Sequence, residues 1–199
     1  MGGTAAYEQH RDLPPLVAAA VEAARRAEFD YSCLPEQGHL LRVLAGGVGA
    51  GVIGETGTGC GVGLAWLATG AHTDARLVSV EREPDRAAVA AEVFADEPRV
   101  QVRTGDWRDV ADAGPFDLLV LDGGGQGKDE EPPLDPAAGW LRPGGLVVID
   151  DFTPMTSWPP THRGALDGAR RYWLNHPRLR AAEVKVTPAA ATVVGTYLG

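Results

Sequence analysis

Apolar residues near the start of the chain recur at the spacing of an amphipathic helix. Leu13-Pro14-Pro15 opens this segment, and one face of the predicted helix is formed by Leu16, Val17, Ala20, Val21 and Ala24. A second helix is predicted over Glu36–Ala45 and ends at Gly46-Gly47. The first dozen residues carry no such periodicity, so we expect a frayed tail there. Residues 1–46 are therefore predicted to form N-terminal helices that act as a cap or lid.

From residue 47 onward, short apolar strands alternate with helical segments. Strands are predicted at Val48–Glu55, Arg76–Glu81, Val100–Thr104, Phe116–Leu121 and Leu146–Ile149. Helices are predicted at Gly61–Thr69, Pro84–Ala95, Pro136–Leu141 and Arg163–Asn175. The last two apolar runs, Ala182–Thr187 and Thr192–Leu198, have no helix between them and predict a hairpin that places one antiparallel strand in the sheet. This order indicates an α/β fold with a mostly parallel sheet buried on both faces, and residues 47–199 are its core.

A glycine-rich loop follows the first predicted strand. Its sequence, Glu55-Thr56-Gly57-Thr58-Gly59-Cys60-Gly61, allows a tight turn and leads into a helix N-terminus with free N–H groups. Glu81 lies twenty residues after Gly61, at the end of the next strand, where a carboxylate can accept both hydroxyls of a ribose. A dinucleotide-binding loop would have a third glycine at position 62, which is valine. A tight structural turn is the alternative, but the loop and its two acids favour an adenosine-type cofactor, with a cationic group near Glu55.

Several segments between residues 33 and 153 carry a shared pattern. They are Pro35-Glu36-Gln37-Gly38-His39-Leu40-Leu41, the Glu55–Gly61 loop, Val80-Glu81, Gly105-Asp106-Trp107, Phe116–Asp122 and Leu141–Asp151. In these segments the chain resembles the class I S-adenosylmethionine-dependent methyltransferases, and among them the catechol-type, cation-dependent O-methyltransferases. The resemblance implies a Rossmann-like, doubly wound sheet of about seven strands with the last strand antiparallel.

The resemblance also implies a cofactor, S-adenosyl-L-methionine, and a set of residues that bind it. Glu81 would hold the ribose, Gly105–Trp107 would line the adenine, and the segment near Cys33 would cross over the cofactor. The full set expected to bind the cofactor is Cys33, Glu55, Gly57, Thr58, Gly59, Gly61, Glu81, Arg82, Gly105, Asp106, Trp107 and Asp122. Many relatives carry Tyr-Ser after the last loop glycine. This chain has Val62-Gly63, so backbone N–H groups would have to replace a contact with the methionine carboxylate.

Three carboxylates end two neighbouring parallel strands. Asp122 follows one apolar strand, and Asp150 and Asp151 follow the next, so all three are expected at the same crevice. They would repel one another without protons or a cation, and carboxylate oxygens are the ligands that Mg²⁺ prefers. The resembled family has Asp, Asp and Asn at these positions, which implies a site for Mg²⁺ or another divalent cation that lowers the pKa of an acceptor hydroxyl. The alternative is that Asp122 contacts the cofactor or caps a turn, and that Asp150-Asp151 is a polar strand exit.

A general base is less evident in the sequence. Relatives often carry a lysine three residues after the first metal-binding aspartate, a position occupied here by Gly125. Lys128 is the nearest lysine and the candidate base, with Asp122 as the other catalytic residue. The alternative is that Lys128 is only a solvated side chain in the acidic run that follows it. Trp158 and Met155 follow the third acid and are expected either to wall an aromatic acceptor or to pack in the core.

Composition narrows the function further. The chain has 18 Lys and Arg against 27 Asp and Glu, a formal charge of -9, which disfavours nucleic acid and anionic membranes as partners. Two cysteines, and a start without an apolar run, indicate a cytoplasmic protein without a signal peptide. We expect a metal-assisted O-methyltransferase for a small, catechol-like acceptor, with a homodimer possible through the first helix. The alternatives are a metal-independent methyltransferase acting on an N or carboxylate acceptor, and a protein that binds S-adenosylmethionine without turnover.

Overall fold

A computed structural model describes residues 3–10, 12–128 and 131–199. Within those residues, seven strands form one sheet: β1 Val52–Thr56, β2 Arg76–Glu81, β3 Val100–Thr104, β4 Phe116–Leu121, β5 Leu141–Phe152, β8 Leu179–Lys185 and β9 Ala191–Tyr197. Their order in the sheet is β3-β2-β1-β4-β5-β9-β8. The first five strands pair in parallel, and β9 pairs antiparallel with both β5 and β8. The predicted fold class, a mostly parallel α/β sheet with one antiparallel strand, is confirmed.

Helices cover both faces of the sheet. They are α1 Gly3–Ala6, α2 Pro15–Arg26, α3 Pro35–Gly46, α4 Val62–Gly70, α5 Pro84–Val93 and α6 Gly168–Asn175, with 3-10 turns at Tyr7–Gln9 and Trp107–Ala113. Successive residues of β4 point to opposite faces. Leu118 and Val120 pack in a core with α2 to α5, whereas Leu119 and Leu121 pack in a second core with Trp173 of α6. This double burial explains why β4 is almost entirely apolar.

Residues 3–10 are packed against the fold, so the expectation of a frayed tail is wrong for them; residues 1, 2 and 11 of the predicted tail lie outside the described residues. Tyr7 is 2% exposed and accepts a hydrogen bond from Trp66 Nε1 at 2.9 Å. Thr4 Oγ1 donates to the carbonyl oxygen of Phe29 at 2.6 Å and lies 2.8 Å from the hydroxyl of Ser32. These contacts join residues far apart in the sequence, so local periodicity carries no sign of them.

Several other elements differ from the prediction, among them β8, which spans Leu179–Lys185 rather than residues 182–187. Residues 136–140 form a turn with Gly139 at φ +86°, so the short helix predicted at 136–141 is absent from the described chain and β5 begins at Leu141. Helix α6 begins at Gly168 rather than at residue 163. The preceding residues form a small hairpin of β6 Thr161–His162 and β7 Ala165–Leu166. Strand β1 begins at Val52, not at residue 48.

The helices within the described residues are all too short or too polar to span a membrane.

Candidate active site

A cavity of about 630 Å³ opens where β1, β2, β4 and β5 end. Most of the residues predicted to bind cofactor or metal lie in its wall: Cys33, Glu55, Gly57, Thr58, Gly59, Glu81, Arg82, Gly105, Asp106, Trp107, Asp122, Asp150 and Asp151. Two predicted residues lie outside the wall. Gly61 is the residue that precedes α4, and Lys128 lies behind the end of β5. Because the carboxyl ends of parallel strands meet at one edge, residues distant in sequence converge there.

The glycine loop turns sharply between β1 and α4. Gly57, Gly59 and Gly61 all have positive φ angles, of +83°, +54° and +94°, which favour glycine. A Cβ atom at Gly57 would lie 2.5 Å from the Cα atom of Gly123, so the loop passes closely over the chain that leaves β4. The Gly57 amide donates to the carbonyl oxygen of Val80 at 2.8 Å, which fixes the loop to the end of β2.

The carboxylate of Glu81 is held at the cavity wall by backbone amides. Its Oε2 accepts from the Gly59 amide at 2.8 Å, and its Oε1 accepts from the Glu83 amide at 3.0 Å. Arg86 Nε lies 3.8 Å from Oε1. Each carboxylate oxygen can accept more than one hydrogen bond. This fixed carboxylate can therefore also accept hydrogen bonds from the two hydroxyls of a ribose.

Glu55 is a buried acid at the start of the same loop. Its Oε2 accepts a 2.6 Å hydrogen bond from Ser79 Oγ, which in turn lies 2.6 Å from Thr58 Oγ1. Burial raises the pKa of Glu55 to about 8. The Ser79 hydrogen bond lowers it in part, and the charge of Glu81 raises it further. A positively charged ligand group beside Glu55 would favour the ionised form.

The far end of the cavity is built around Trp107. Its Nε1 donates to Glu131 Oε1 at 2.8 Å, and the guanidinium of Arg108 lies 4.3 Å from the centre of its ring. Asp106 caps this turn, because its carboxylate accepts a hydrogen bond from the backbone amide of Arg108. That hydrogen bond lowers the pKa of Asp106. Glu131 also lies in the cavity wall and was not predicted, because it stands in an acidic loop without a local motif.

Three acids share the end of the cavity formed by β4 and β5. Burial raises the pKa of Asp122 well above its usual range, with further increases from Asp150, Asp151 and Glu55. Burial and Asp151 raise the pKa of Asp150 to about 6. Among residues 3–10, 12–128 and 131–199, no three His, Cys, Asp or Glu side chains converge closely enough to hold a metal ion. The acids thus form a repulsive cluster that either protons or a cation would relieve.

Lys128 lies directly behind this acidic cluster. Its Nζ donates to the carbonyl oxygens of Asp150 at 2.6 Å and Asp151 at 2.8 Å, and lies 4.2 Å from the centre of the Phe152 ring. Burial lowers the pKa of Lys128, while the nearby acids raise it in part. The structure therefore brings this lysine close to the three predicted acids, although not into the cavity wall.

The segment between α2 and α3 covers part of the cavity. Phe29 lies over the glycine loop, so that a Cβ atom at Gly59 would be 2.9 Å from its ring. Cys33 Sγ is 3.9 Å from the hydroxyl of Tyr7, and burial, followed by Asp122 and Asp150, raises the pKa of its thiol. Gln37, in the first turn of α3, also belongs to the wall. Gln37 stands in one of the segments that carry the resemblance, but a single polar residue on a helix does not by itself predict a place in the cavity wall.

Trp158 and Met155 do not line this cavity. They are 56% and 36% exposed, so in this structure they neither wall the site nor pack in the core.

Comparison with known proteins gives a consistent result. A family model described as a methyltransferase domain matches residues 55–152. The chain is 32% identical over 176 residues to a catechol O-methyltransferase of Niastella koreensis, a match that covers 79% of this chain and 75% of that protein. Among the first curated relatives, the share of the relative covered ranges from 65 to 76%.

Solved structures share the fold over nearly the whole chain. An O-methyltransferase from Bacillus cereus, solved in complex with SAH, gives a TM-score of 0.74 at 20% identity, covering 98% of this chain and 96% of that one. The O-methyltransferase TomG from Streptomyces achromogenes, involved in tomaymycin synthesis and solved with SAM, gives 0.72 at 22% identity, covering 99% and 96%. At these identities the comparison establishes the fold.

Proposed function

The chain belongs to the class I S-adenosylmethionine-dependent O-methyltransferases, and on that premise we propose that it methylates a hydroxyl group of a small, catechol-like molecule with the help of a divalent cation. The observation that supports this proposal most strongly is that two groups of residues line the same cavity. The glycine loop and Glu81 form one part of its wall, and the acids Asp122, Asp150 and Asp151 form another.

The cofactor would extend along the ends of the strands. Glu81, with both oxygens fixed by amides, suits the ribose, and Gly105–Trp107 suit the adenine. Glu55 suits a cationic group, since its burial next to Glu81 leaves it without a compensating charge. S-adenosylmethionine supplies an electrophilic methyl group, and these residues would orient it towards the acids at the ends of β4 and β5.

Residues 1–46 would act as a cap over the cofactor. Support comes from the segment before α3, whose residues Phe29 and Cys33 lie in the cavity wall. Thr4 joins two parts of this cap through its hydrogen bond to Phe29, and Tyr7 attaches the cap to α4 through its hydrogen bond with Trp66. Such a cap would exclude water from the reacting groups.

The three acids would hold a divalent cation such as Mg²⁺. Their carboxylate oxygens are suitable ligands for such an ion, and burial together with their mutual repulsion raises the pKa values of Asp122 and Asp150. Because these side chains do not already converge, they would have to close around the ion. A bound cation would lower the pKa of the acceptor hydroxyl.

Lys128 is the proposed base for the hydroxyl proton. A neutral amine has two N–H groups and one lone pair, so Lys128 can stay bonded to both carbonyls and still accept a proton. Its lowered pKa favours that neutral form.

The same lysine also favours a second candidate function, a metal-independent methyltransferase. As an ammonium group beside Asp150 and Asp151, Lys128 supplies positive charge where the metal is otherwise needed. An N or carboxylate acceptor would not require a cation.

The acidic composition and the two free cysteines, Cys33 and Cys60, support a cytoplasmic enzyme acting on a small molecule rather than on nucleic acid.

A methyl-transfer assay separates the two candidates. Labelled S-adenosylmethionine is offered with a panel of hydroxylated aromatics, in Mg²⁺ or in EDTA, to the wild type and to Asp150→Ala. We expect transfer to a catechol in Mg²⁺, and a loss of about 100-fold or more in EDTA or in Asp150→Ala. The control is Asp74→Asn, which changes an acid 77% exposed in its side chain. Equal rates in all conditions would favour the metal-independent enzyme.

A further inference from the structure

Arg170 is a buried cation that lies against the cavity wall without lining it. It belongs to the first turn of α6 and is 1% exposed. Its Nε lies 3.2 Å from Oδ2 of Asp167, and its Nη1 lies 2.9 Å from Oε2 of Glu183 on β8. Because a buried charge is costly unless it is paired, these two acids compensate the guanidinium and fix its position.

The third side of the guanidinium faces the chain that leaves β5. Nη2 of Arg170 donates to the carbonyl oxygen of Thr153 at 2.7 Å, and Cζ lies 4.8 Å from the centre of the Phe152 ring. Phe152 and Thr153 both line the cavity. A planar guanidinium can bond to several partners in fixed directions at once, which an ammonium group cannot. The cation therefore connects α6 and β8 to the cavity wall.

The end of β5 that this cation contacts is irregular. Strand β5 pairs with β9 in register up to Ile149, and the register shifts between Ile149 and Phe152. Within this bulge Asp151 has φ +65°, a conformation that residues other than glycine rarely adopt. A bulge changes the direction of the side chains on it, and strained backbone persists only where its surroundings hold it. The contacts around the bulge thus fix the directions of Asp150 and Asp151.

Two further contacts join Arg170 to the same bulge. Oε1 of Glu183 accepts from the Met155 amide at 2.7 Å, while Oε2 of the same carboxylate faces Arg170. The Phe152 ring also contacts Lys128, whose Nζ lies 4.2 Å from the ring centre. Arg170 therefore holds the chain after the two acids both directly and through Glu183.

We propose that Arg170 is a positioning residue for methyl transfer. Its guanidinium fixes the bulge at the end of β5 and so directs the carboxylates of Asp150 and Asp151 towards the acceptor. It acts through the backbone and touches neither the glycine loop nor Glu81, so it leaves binding of the nucleoside unchanged. This inference rests on the proposed function, since it assumes that the two acids act on a methyl acceptor.

The test uses a substitution that retains the buried charge. Arg170→Lys leaves a cation near Asp167 and Glu183 but removes the planar group that bonds to the Thr153 carbonyl. With labelled S-adenosylmethionine, catechol and Mg²⁺, we expect kcat to fall about 10- to 100-fold. Calorimetry should give a Kd for S-adenosylhomocysteine within about threefold of the wild type. Arg171→Lys, at an exposed arginine of the same helix, is the matched control and should equal the wild type in both measurements.

Hydrogen exchange of the backbone amides gives a measure that does not depend on activity. In Arg170→Lys, exchange over residues 150–155 should be about tenfold faster or more, and exchange over residues 57–63 of the glycine loop should be unchanged. Glu183→Gln leaves Arg170 paired with Asp167, and it should show the same pattern with smaller changes. This second variant keeps the test decisive if Arg170→Lys does not fold.

Several results would overturn the positioning role. They are unchanged exchange over residues 150–155, faster exchange there with an unchanged kcat, and equal losses in kcat and in binding of S-adenosylhomocysteine. The last result would mean that Arg170 supports the fold as a whole. A wild-type protein that binds S-adenosylhomocysteine but methylates none of the hydroxylated aromatics would instead contradict the proposed function, and the role of Arg170 in it would fail as well.

Discussion

The indole nitrogen of Trp66 donates a 2.9 Å hydrogen bond to the hydroxyl of Tyr7, and both side chains are buried. Tyr7 belongs to the N-terminal segment, and Trp66 belongs to α4, the helix that follows the glycine loop. The same hydroxyl lies 3.9 Å from the thiol of Cys33 in the cavity wall. This single phenol therefore connects the first residues of the fold with the elements on both sides of the cavity.

Replacing Tyr7 by phenylalanine should destabilise the protein. Tyr7→Phe leaves the buried Trp66 N–H without an acceptor, at a cost of about 1–3 kcal/mol. Urea unfolding measures the free energy of unfolding. Tyr31→Phe is the matched control, because Tyr31 is 76% exposed and should be within about 0.5 kcal/mol of the wild type. Equal stability of both variants would show that the contact does not hold the N-terminal segment.

Two glycines with similar backbone angles should respond differently to alanine. Gly57 has φ +83° and Gly139 has φ +86°, so alanine at either position costs about 1–2 kcal/mol from the backbone alone. A Cβ atom at Gly57 would lie 2.5 Å from Gly123, whereas the space around Gly139 is open within 4 Å. Gly57→Ala should therefore cost about 1–3 kcal/mol more than Gly139→Ala and abolish binding of S-adenosylhomocysteine. Equal losses in unfolding free energy would contradict the close approach of the loop.

Much of the fold could be predicted because β2, β3 and β4 have the same bounds in sequence and structure, and β2 and β4 are mostly apolar and buried. A strand buried on both faces has a local signature. The N-terminal segment has none, since Tyr7 is buried by contacts with distant residues. The hairpin that precedes α6 was missed for a related reason: its turn depends on Arg163 and Gly164 at positive φ, which an apolar pattern does not encode.

The stability of the free protein should fall with rising pH because of Glu55. The folded protein retains the Glu55 proton up to its pKa of about 8, whereas the unfolded chain releases it near the ordinary value of 4.5. The proton thus stabilises the fold fully below pH 4.5, and this contribution is lost between pH 4.5 and 8. Asp150, with a pKa of about 6, acts in the same direction.

The variant Glu55→Gln isolates this effect. Between pH 4.5 and 8, the free energy of unfolding of this variant should fall less steeply with pH than that of the wild type. The difference between the two slopes should be about 1.4 kcal/mol per pH unit. Urea unfolding at pH 5, 6, 7 and 8 gives the two slopes, and Glu92→Gln, at an exposed acid of α5, should follow the wild type. Parallel curves for Glu55→Gln and the wild type would mean that Glu55 is ionised in the free protein.

Removing the amine of Lys128 should slow methyl transfer without weakening cofactor binding. If Lys128 accepts the hydroxyl proton, Lys128→Met lowers kcat by about 10²- to 10⁴-fold and removes the rise of rate with pH that a base of lowered pKa produces. Lys185, the other lysine of the chain, is exposed at the end of β8 and gives a charge-matched control in Lys185→Met. An unchanged rate in Lys128→Met would leave this lysine only its contacts with the carbonyls of Asp150 and Asp151.

The site was predictable where a residue stands at the end of a strand. Glu81, Asp122 and Asp150 follow apolar runs, and the topology of a parallel sheet brings such ends together. Gln37 and Glu131 line the same cavity from a helix and a loop, where burial and contacts are set by the tertiary structure. The sequence placed the three acids at one crevice, and they do line one cavity, but among the described residues they do not converge closely enough to hold a metal ion.

The most direct test of the central claim, metal-assisted methyl transfer to a small hydroxylated acceptor, is a sequential calorimetric titration. S-adenosylhomocysteine is titrated into the protein first in Mg²⁺ and then in EDTA, and a catechol is added to each complex. We predict that the nucleoside binds in both conditions and that the catechol binds only with Mg²⁺. Catechol binding that is equal in EDTA, or absent in both conditions while the nucleoside binds, would contradict the metal-assisted mechanism.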